Sequence, residues 1–219
     1  MLYRVARGIV RFVLFRWFRI TVEGIHHLPE DGPAILVSNH VNYLDPLVMG
    51  VVFERPLHFM AKAELFEFRP LGWLLRRLYA FPVRRGEADR GAIRHALKVL
   101  ADGHVLAMFP EGTRSHTGVL QDFQRGATML ALRSGAPVVP MVLLGAADAL
   151  AGGRKVPRRV PLTVRIGPPL RFENGHGGPA VTAASDRIRA AVAALYPNGA
   201  NGESRSPSGS HNDFAARKG

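Results

Sequence analysis

Three stretches of the chain, Ala34–Ser38 (AILVS), His104–Phe109 (HVLAMF) and Val138–Leu144 (VVPMVLL), run on in apolar residues without polar alternation. A strand with one wet face alternates polar and apolar side chains, whereas a continuous run is buried on both faces. Such strands need covering elements on either side, and helical patterns lie between them. In Asp89–Asp102, residues Ala92, Ile93, Ala96, Leu97, Val99 and Leu100 share one side, and Gly103 ends the pattern. Phe123–Ser134, stopped by Gly135, and Ala180–Leu195 are further helices. Another begins at Pro46, with Asp45 as its N-cap and Pro46 at the first helical position. Shorter strands are predicted at Ile20–Glu23, His58–Ala61, Tyr79–Val83 and Leu162–Ile166. Strands alternating with helices predict an α/β fold. It is expected as a single-domain sandwich, with a largely parallel mixed sheet covered by helices.

Three segments are expected. Residues 1–20 form an amphipathic helix lying in a membrane interface, 21–197 the folded domain, and 198–219 a disordered tail rich in Gly, Ser and Asn. The first segment carries Arg4, Arg7, Arg11, Arg16 and Arg19 without an acid, interleaved with Ile9, Phe12, Phe15, Trp17 and Phe18. Arginine stems lie along apolar surface while their heads reach phosphates. A helix packed on the domain with its arginines in water is the plainer alternative. A membrane span needs ~20 mostly apolar residues. The longest stretch free of Asp, Glu, Lys and Arg, Ser134–Ala147, contains prolines and reads as a buried strand. The arginines also break any signal-peptide pattern. The expected location is the cytoplasmic face of the cell membrane.

Charge narrows the partners. Lys plus Arg number 29 against 17 Asp plus Glu, a net charge of +12. That excess calls for an anionic partner. No nucleic-acid-binding motif is present and the bases lie beside apolar runs, so a membrane surface and phosphorylated ligands are the expected partners and nucleic acid is not. The chain has no Cys, which removes a thiol nucleophile and Cys-based metal sites. No histidine spacing suggests a metal site either.

Two polar blocks follow buried strands, where ligands sit in open α/β sheets. The first is Ser38-Asn39-His40-Val41-Asn42-Tyr43-Leu44-Asp45-Pro46. With His40 in the turn and Asp45 at the helix start, the carboxylate can fold back onto the imidazole. One ring nitrogen is then held and the other is free to take a proton from a hydroxyl. An ordinary N-cap beside an uninvolved loop histidine fits the same spacing. The second block, Phe109-Pro110-Glu111-Gly112-Thr113-Arg114-Ser115, places a carboxylate, a hydroxyl and a guanidinium in one turn. Arg suits phosphate, although a surface turn with an ion pair would look alike. Phe81-Pro82-Val83-Arg84-Arg85 and Ala136-Pro137-Val138-Val139-Pro140 are weaker: a basic turn and a core strand when taken alone.

In order and separation, the four blocks resemble the motifs of the glycerolipid acyltransferases, in particular the 1-acyl-sn-glycerol-3-phosphate acyltransferases. The matching residues are Asn39-His40-x4-Asp45, Phe81-x3-Arg85, Glu111-Gly112-Thr113-Arg114 and Val138-Val139-Pro140. The resemblance implies that His40 is the general base on the acceptor hydroxyl and that Asp45 orients it. It implies that Asn39, Glu111, Gly112 and Thr113 belong to the substrate site, with Glu111 holding the acceptor's glycerol. Arg114 and Arg85 would bind its phosphate, Arg84 adding affinity for an anionic head group, and the fourth block would line the cleft. The implied acceptor is a lysophospholipid and the implied donor is acyl-coenzyme A or acyl carrier protein, with no cofactor and no metal. The sequence does not identify the oxyanion donors, for which the backbone N–H groups around the start of the Asp45 helix are candidates. A family member acting on another lysophospholipid or a glycolipid, and a non-catalytic membrane-binding protein, are the alternatives.

Overall fold

The computed structural model describes residues 2–84, 89–115, 118–150, 156–173 and 178–197. The expected tail, 198–219, lies outside them.

Seven strands form one sheet: β1 (Arg19–Glu23), β2 (Ala34–Ser38), β3 (Leu57–Lys62), β4 (Ala80–Val83), β5 (Val105–Met108), β6 (Val138–Leu144) and β7 (Pro161–Ile166). Their order is β1-β7-β6-β2-β5-β3-β4. All neighbouring pairs are parallel except β6 with β7. The mixed, largely parallel sheet expected from the sequence is therefore present. The helices are α1 (Leu2–Trp17), α2 (Asp45–Val52), α3 (Arg69–Arg77), α4 (Arg90–Ala101), α5 (Arg125–Ser134), α6 (Ala146–Ala149) and α7 (Gly178–Ala193).

Because side chains alternate along a strand, each buried strand feeds two cores. Ala34 and Leu36 of β2 face one core, with α1, α2 and α6, whereas Ile35 and Val37 face the other, with α4, α5 and α7. Every residue of β2 is buried, as its unbroken apolar run requires. The strand is flanked by β5 and β6, with Val37 opposite Met108 on one side and Pro140 on the other. The loops after β2 and β5 therefore emerge side by side, and these carry the two most specific motifs.

Helices α3 and α6 have no counterpart among the elements expected from the sequence. In α3, Pro70 and Gly72 look like breakers. Pro70 stands in the first turn, where a missing N–H costs nothing. Gly72 lets the helix press on the preceding turn, since a Cβ there would lie 2.7 Å from the Phe66 carbonyl oxygen. The N-terminal helix also ends earlier than residue 20, because Arg19 and Ile20 already belong to β1. It is no separate unit: Leu14 is buried against the domain, as is Phe18 just beyond the helix. Arg7 Nε donates to the Phe53 carbonyl at 3.0 Å, and Arg11 Nη1 to that of Val51 at 3.0 Å. Two of the arginines expected to meet lipid thus cap the C-terminus of α2. Val5, Ile9, Phe12 and Val13, spaced along one stripe, are left exposed. Among the described residues no helix is long and apolar enough to cross a membrane.

Candidate active site

The loop leaving β2 is built around one carboxylate. Asp45 is fully buried, and its Oδ2 accepts from His40 Nδ1 at 2.8 Å, from the Val41 N–H at 2.7 Å and from the Asn42 N–H at 2.8 Å. Asp45 is the first residue of α2 and Leu44 its N-cap. The carboxylate does not cap the helix; it turns back on the loop that precedes it. A carboxylate on Nδ1 assigns the ring proton to that nitrogen, which leaves Nε2 with its lone pair open. Phe109 of the neighbouring loop stacks on the imidazole, with ring centroids 4.1 Å apart. The same geometry occupies most of the candidate oxyanion donors around the start of α2, leaving Tyr43 and Leu47 outside those accounted for. The N–H groups of Val41 and Asn42 serve Asp45, that of Leu44 bonds Asn42 Oδ1, that of Asp45 bonds the Asn42 carbonyl, and Pro46 has none.

Two asparagines anchor this loop. Asn39 exchanges two hydrogen bonds with the backbone of Leu143, its Oδ1 accepting at 2.8 Å and its Nδ2 donating at 3.2 Å. Asn42 Nδ2 donates to the Ala146 carbonyl at 2.7 Å. Expected among the substrate-binding residues, Asn39 is buried and spent on β6 instead.

The turn after β5 grips His40 by its backbone. Glu111 Oε1 accepts from the His40 N–H at 2.9 Å, and the Ser115 N–H donates to the His40 carbonyl at 2.7 Å. The other Glu111 oxygen accepts from Gln121 N–H at 3.3 Å. The side chain is only 4 % exposed and lines no part of the cavity beside His40, so its observed work is positioning rather than holding a glycerol. Burial raises its pKa, and the two N–H donors pull against that shift. Gly112 has φ of 72°, the left-handed region that favours glycine, and a Cβ there would also displace the end of the Gln124 side chain. Thr113 is exposed, with its hydroxyl on the Arg114 carbonyl at 3.3 Å. The Arg114 guanidinium lies 3.7 Å from the ring centroid of Tyr43, and Tyr43 is 68 % exposed.

His40, Phe109, Tyr43 and Arg114 all line one cavity of about 550 Å³. It runs from the imidazole between α1 and α2 toward α3, past Val10, Leu47, Val51, Phe59, Leu75 and Leu78. Apart from its basic groups Arg7, Lys62 and Arg114, the wall is mostly apolar. Arg84 does not reach this cavity: it is exposed, and its N–H bonds Asp89 Oδ2 at 3.0 Å. Arg85 lies outside the described residues. Val138, Val139 and Pro140 are core residues of β6 rather than cleft lining. Among the described residues, no three His, Asp or Glu side chains are grouped to hold a metal ion.

The sequence pattern of the family described as Acyltransferase matches residues 19–144, which contain both loops and every group just described around His40 except the α1 residues and Ala146. The chain belongs to the acyltransferase family. It is 28% identical over 170 residues to the 1-acyl-sn-glycerol-3-phosphate acyltransferase of Bacillus subtilis, covering 77% of this chain and 82% of that one. It is 32% identical over 181 residues to the human 1-acyl-sn-glycerol-3-phosphate acyltransferase alpha, covering 81% and 64%. The chloroplastic relative LPAT1 of Arabidopsis thaliana is 30% identical over 143 residues, and the match spans 64% of this chain but 40% of that longer protein. The fold is shared with the crystal structure of the 1-acyl-sn-glycerophosphate (LPA) acyltransferase, PlsC, from Thermotoga maritima. The TM-score is 0.70 at 24% identity, over 88% of this chain and 80% of that one.

Proposed function

We propose that this acyltransferase moves an acyl group from an acyl thioester to the free hydroxyl of 1-acyl-sn-glycerol-3-phosphate, forming phosphatidic acid. The observation that carries the reading is the His40–Asp45 pair, 2.8 Å apart, opening onto a mostly apolar cavity. The names of the relatives support the acceptor.

The chemistry follows from the ring. His40 Nε2 takes the hydroxyl proton as the oxygen attacks the thioester carbonyl carbon. Asp45 holds the imidazole in the required tautomer and stabilises the imidazolium. The tetrahedral intermediate collapses, the C–S bond breaks, and the imidazolium returns its proton to the departing sulfur. A free thiol and the new ester remain. With no Cys in the chain, the thiol arrives with the donor, which is acyl-coenzyme A or acyl carrier protein. The apolar cavity takes acyl chain, and Arg114, resting over Tyr43, receives the acceptor's phosphate. Glu111 acts one step back, by fixing the His40 backbone.

The exposed stripe Val5, Ile9, Phe12 and Val13, with Arg4 and Arg16 beside it, supports docking of α1 on an anionic membrane at the cytoplasmic face. Tyr43 and Leu47, at the cavity's edge, are exposed as well, so a lipid acceptor has an apolar route to His40. The test is a panel of lysophospholipids and glycolipids offered with one acyl-coenzyme A, products being identified by mass spectrometry. Phosphatidic acid as the main product is expected. Preferential acylation of another head group, or liposome binding with no product, would contradict the reading.

A further inference from the structure

The opposite face of the sheet carries a second cleft that meets the same centre. It has a volume of about 630 Å³ and lies between α4 and α5. Its floor is apolar and adaptable, formed by residues including Met60, Met108, Met129, Ile93 and Leu97. Its rim carries Arg84, Arg90, Arg94, Arg125 and Arg133, all exposed, against one acid, Asp89. That acid is occupied as the cap of α4, accepting from Ala92 N–H at 2.9 Å and from Arg84 N–H at 3.0 Å. Among the described residues none of the five guanidinium groups has a carboxylate within 4.0 Å. Arg90 and Arg94 are four apart on one helix, a like-charge spacing that costs stability. The inner end of the cleft reaches Gly112 of the second motif and Phe109, the ring stacked on His40.

Two substrates must meet at His40, and the cavity on the α1 side is mostly apolar. We propose that the arginine-rimmed cleft between α4 and α5 binds the 3′-phosphorylated adenosine diphosphate of coenzyme A. This inference rests on the acyl-transfer reading above. The nucleotide carries three phosphoryl groups, which suit several guanidiniums converging from two helices and the strand end beside them. Its base offers a flat ring to methionine side chains and to Arg planes. The cleft is concave and of ordinary ligand size, whereas a carrier protein would dock on a broad, open face. The pantetheine arm then passes Gly112 and Phe109 to bring the sulfur to His40, and the acyl chain continues into the apolar cavity.

The test uses the full chain and coenzyme A without an acyl group. Calorimetric titrations with coenzyme A, with dephospho-coenzyme A and with adenosine 3′,5′-bisphosphate would be compared for the wild type, Arg94→Glu, Arg133→Glu and the milder Arg94→Gln. Coenzyme A and the bisphosphate should bind the wild type. Each charge reversal should weaken both by about tenfold and raise the KM for acyl-coenzyme A by a similar factor, with the KM for lysophosphatidic acid held within about twofold. Loss of the 3′-phosphate should weaken the wild type more than the charge-reversed variants. Unchanged affinity in the variants, or no binding by the wild type, would overturn the proposal. So would a rise confined to the KM for lysophosphatidic acid, which would make the cleft the acceptor's, or one confined to acyl carrier protein as donor. Binding is read without turnover. A wild type that binds coenzyme A but acylates nothing contradicts the proposed reaction and leaves the cleft assignment standing.

Discussion

The loops after β2 and β5 lie side by side, yet they divide their polar atoms differently. In the first, Asn39, Asn42 and Asp45 are all buried, and each is bonded to the loop itself or to a neighbouring element. The His40 ring keeps Nε2 open, and Asp45 Oδ1 is buried without a hydrogen-bond partner among the described residues. In the second, Glu111 is spent inward in the same way, but Thr113 is exposed and Arg114 rests on an exposed tyrosine. A motif of contiguous residues is thus a mixture. Some members build the base, and others are left for a ligand. Asn39, Asn42, Asp45 and Glu111 are bonded within the protein, whereas the Arg114 guanidinium is left at the cavity, over Tyr43.

Substitutions can break this division. Asp45→Ala should have the largest effect, because it strands the His40 ring and two N–H groups, one buried and one partly buried, at once. A loss of about 3–5 kcal/mol in chemical unfolding is expected, with activity abolished even in molecules that remain folded. A stable, active Asp45→Ala protein would show that the first loop does not depend on its carboxylate. Glu111→Gln keeps the shape and one acceptor but sets an NH2 group against a backbone N–H. It should cost about 1–2 kcal/mol and lower kcat, leaving the KM for the acceptor in place. A raised KM with unchanged kcat would return Glu111 to holding the glycerol.

Arg114→Ala tests the other half of the comparison. It should raise the KM for lysophosphatidic acid about tenfold, or about 1.4 kcal/mol, with little change in unfolding midpoint. A large stability loss would make Arg114 a building residue after all. The smallest effect belongs to a control far from both loops. His58, stacked on His104 at 5.0 Å, has its pKa pushed down to about 4, mainly by burial and then by His104 and His95. The folded state therefore holds fewer protons than the unfolded state between pH 4 and 6.5. Stability is full above that window and falls as the pH drops through it. Because the group is only partly buried, solvent screening should hold the loss to at most about 1 kcal/mol. Thermal melts across the window should show the decline in the wild type and a flatter profile in His58→Gln. An equal decline in both would move the acid sensitivity elsewhere, with the two loops the first place to look.

Much of the architecture was legible because burial and helix periodicity are local signals. Strands β2 and β6 stand where their apolar runs place them, and α4 and α5 end at Gly103 and Gly135 as expected. The turning back of Asp45 onto His40 was also anticipated from five-residue spacing. What was hidden depends on partners distant in the chain. Nothing near Asn39 announces that Leu143 will take its carboxamide, and nothing near Arg7 announces the carbonyls of α2, more than forty residues away. The same limit applies to the charges. The basic turn at Arg84 was visible, but its meeting with Arg125 and Arg133 across a cleft required the fold. Glu111 shows the limit of the family motif itself: the residue was expected, and its grip on the His40 N–H was not.

The central claim is that His40 is the general base at this junction. The direct measurement is kcat for phosphatidic acid formation by His40→Ala, checked for folding by circular dichroism and for an unchanged unfolding midpoint. A loss of roughly 10²–10⁴-fold is predicted, the usual contribution of a positioned base. A folded His40→Ala protein that acylates lysophosphatidic acid at near the wild-type rate would contradict the account.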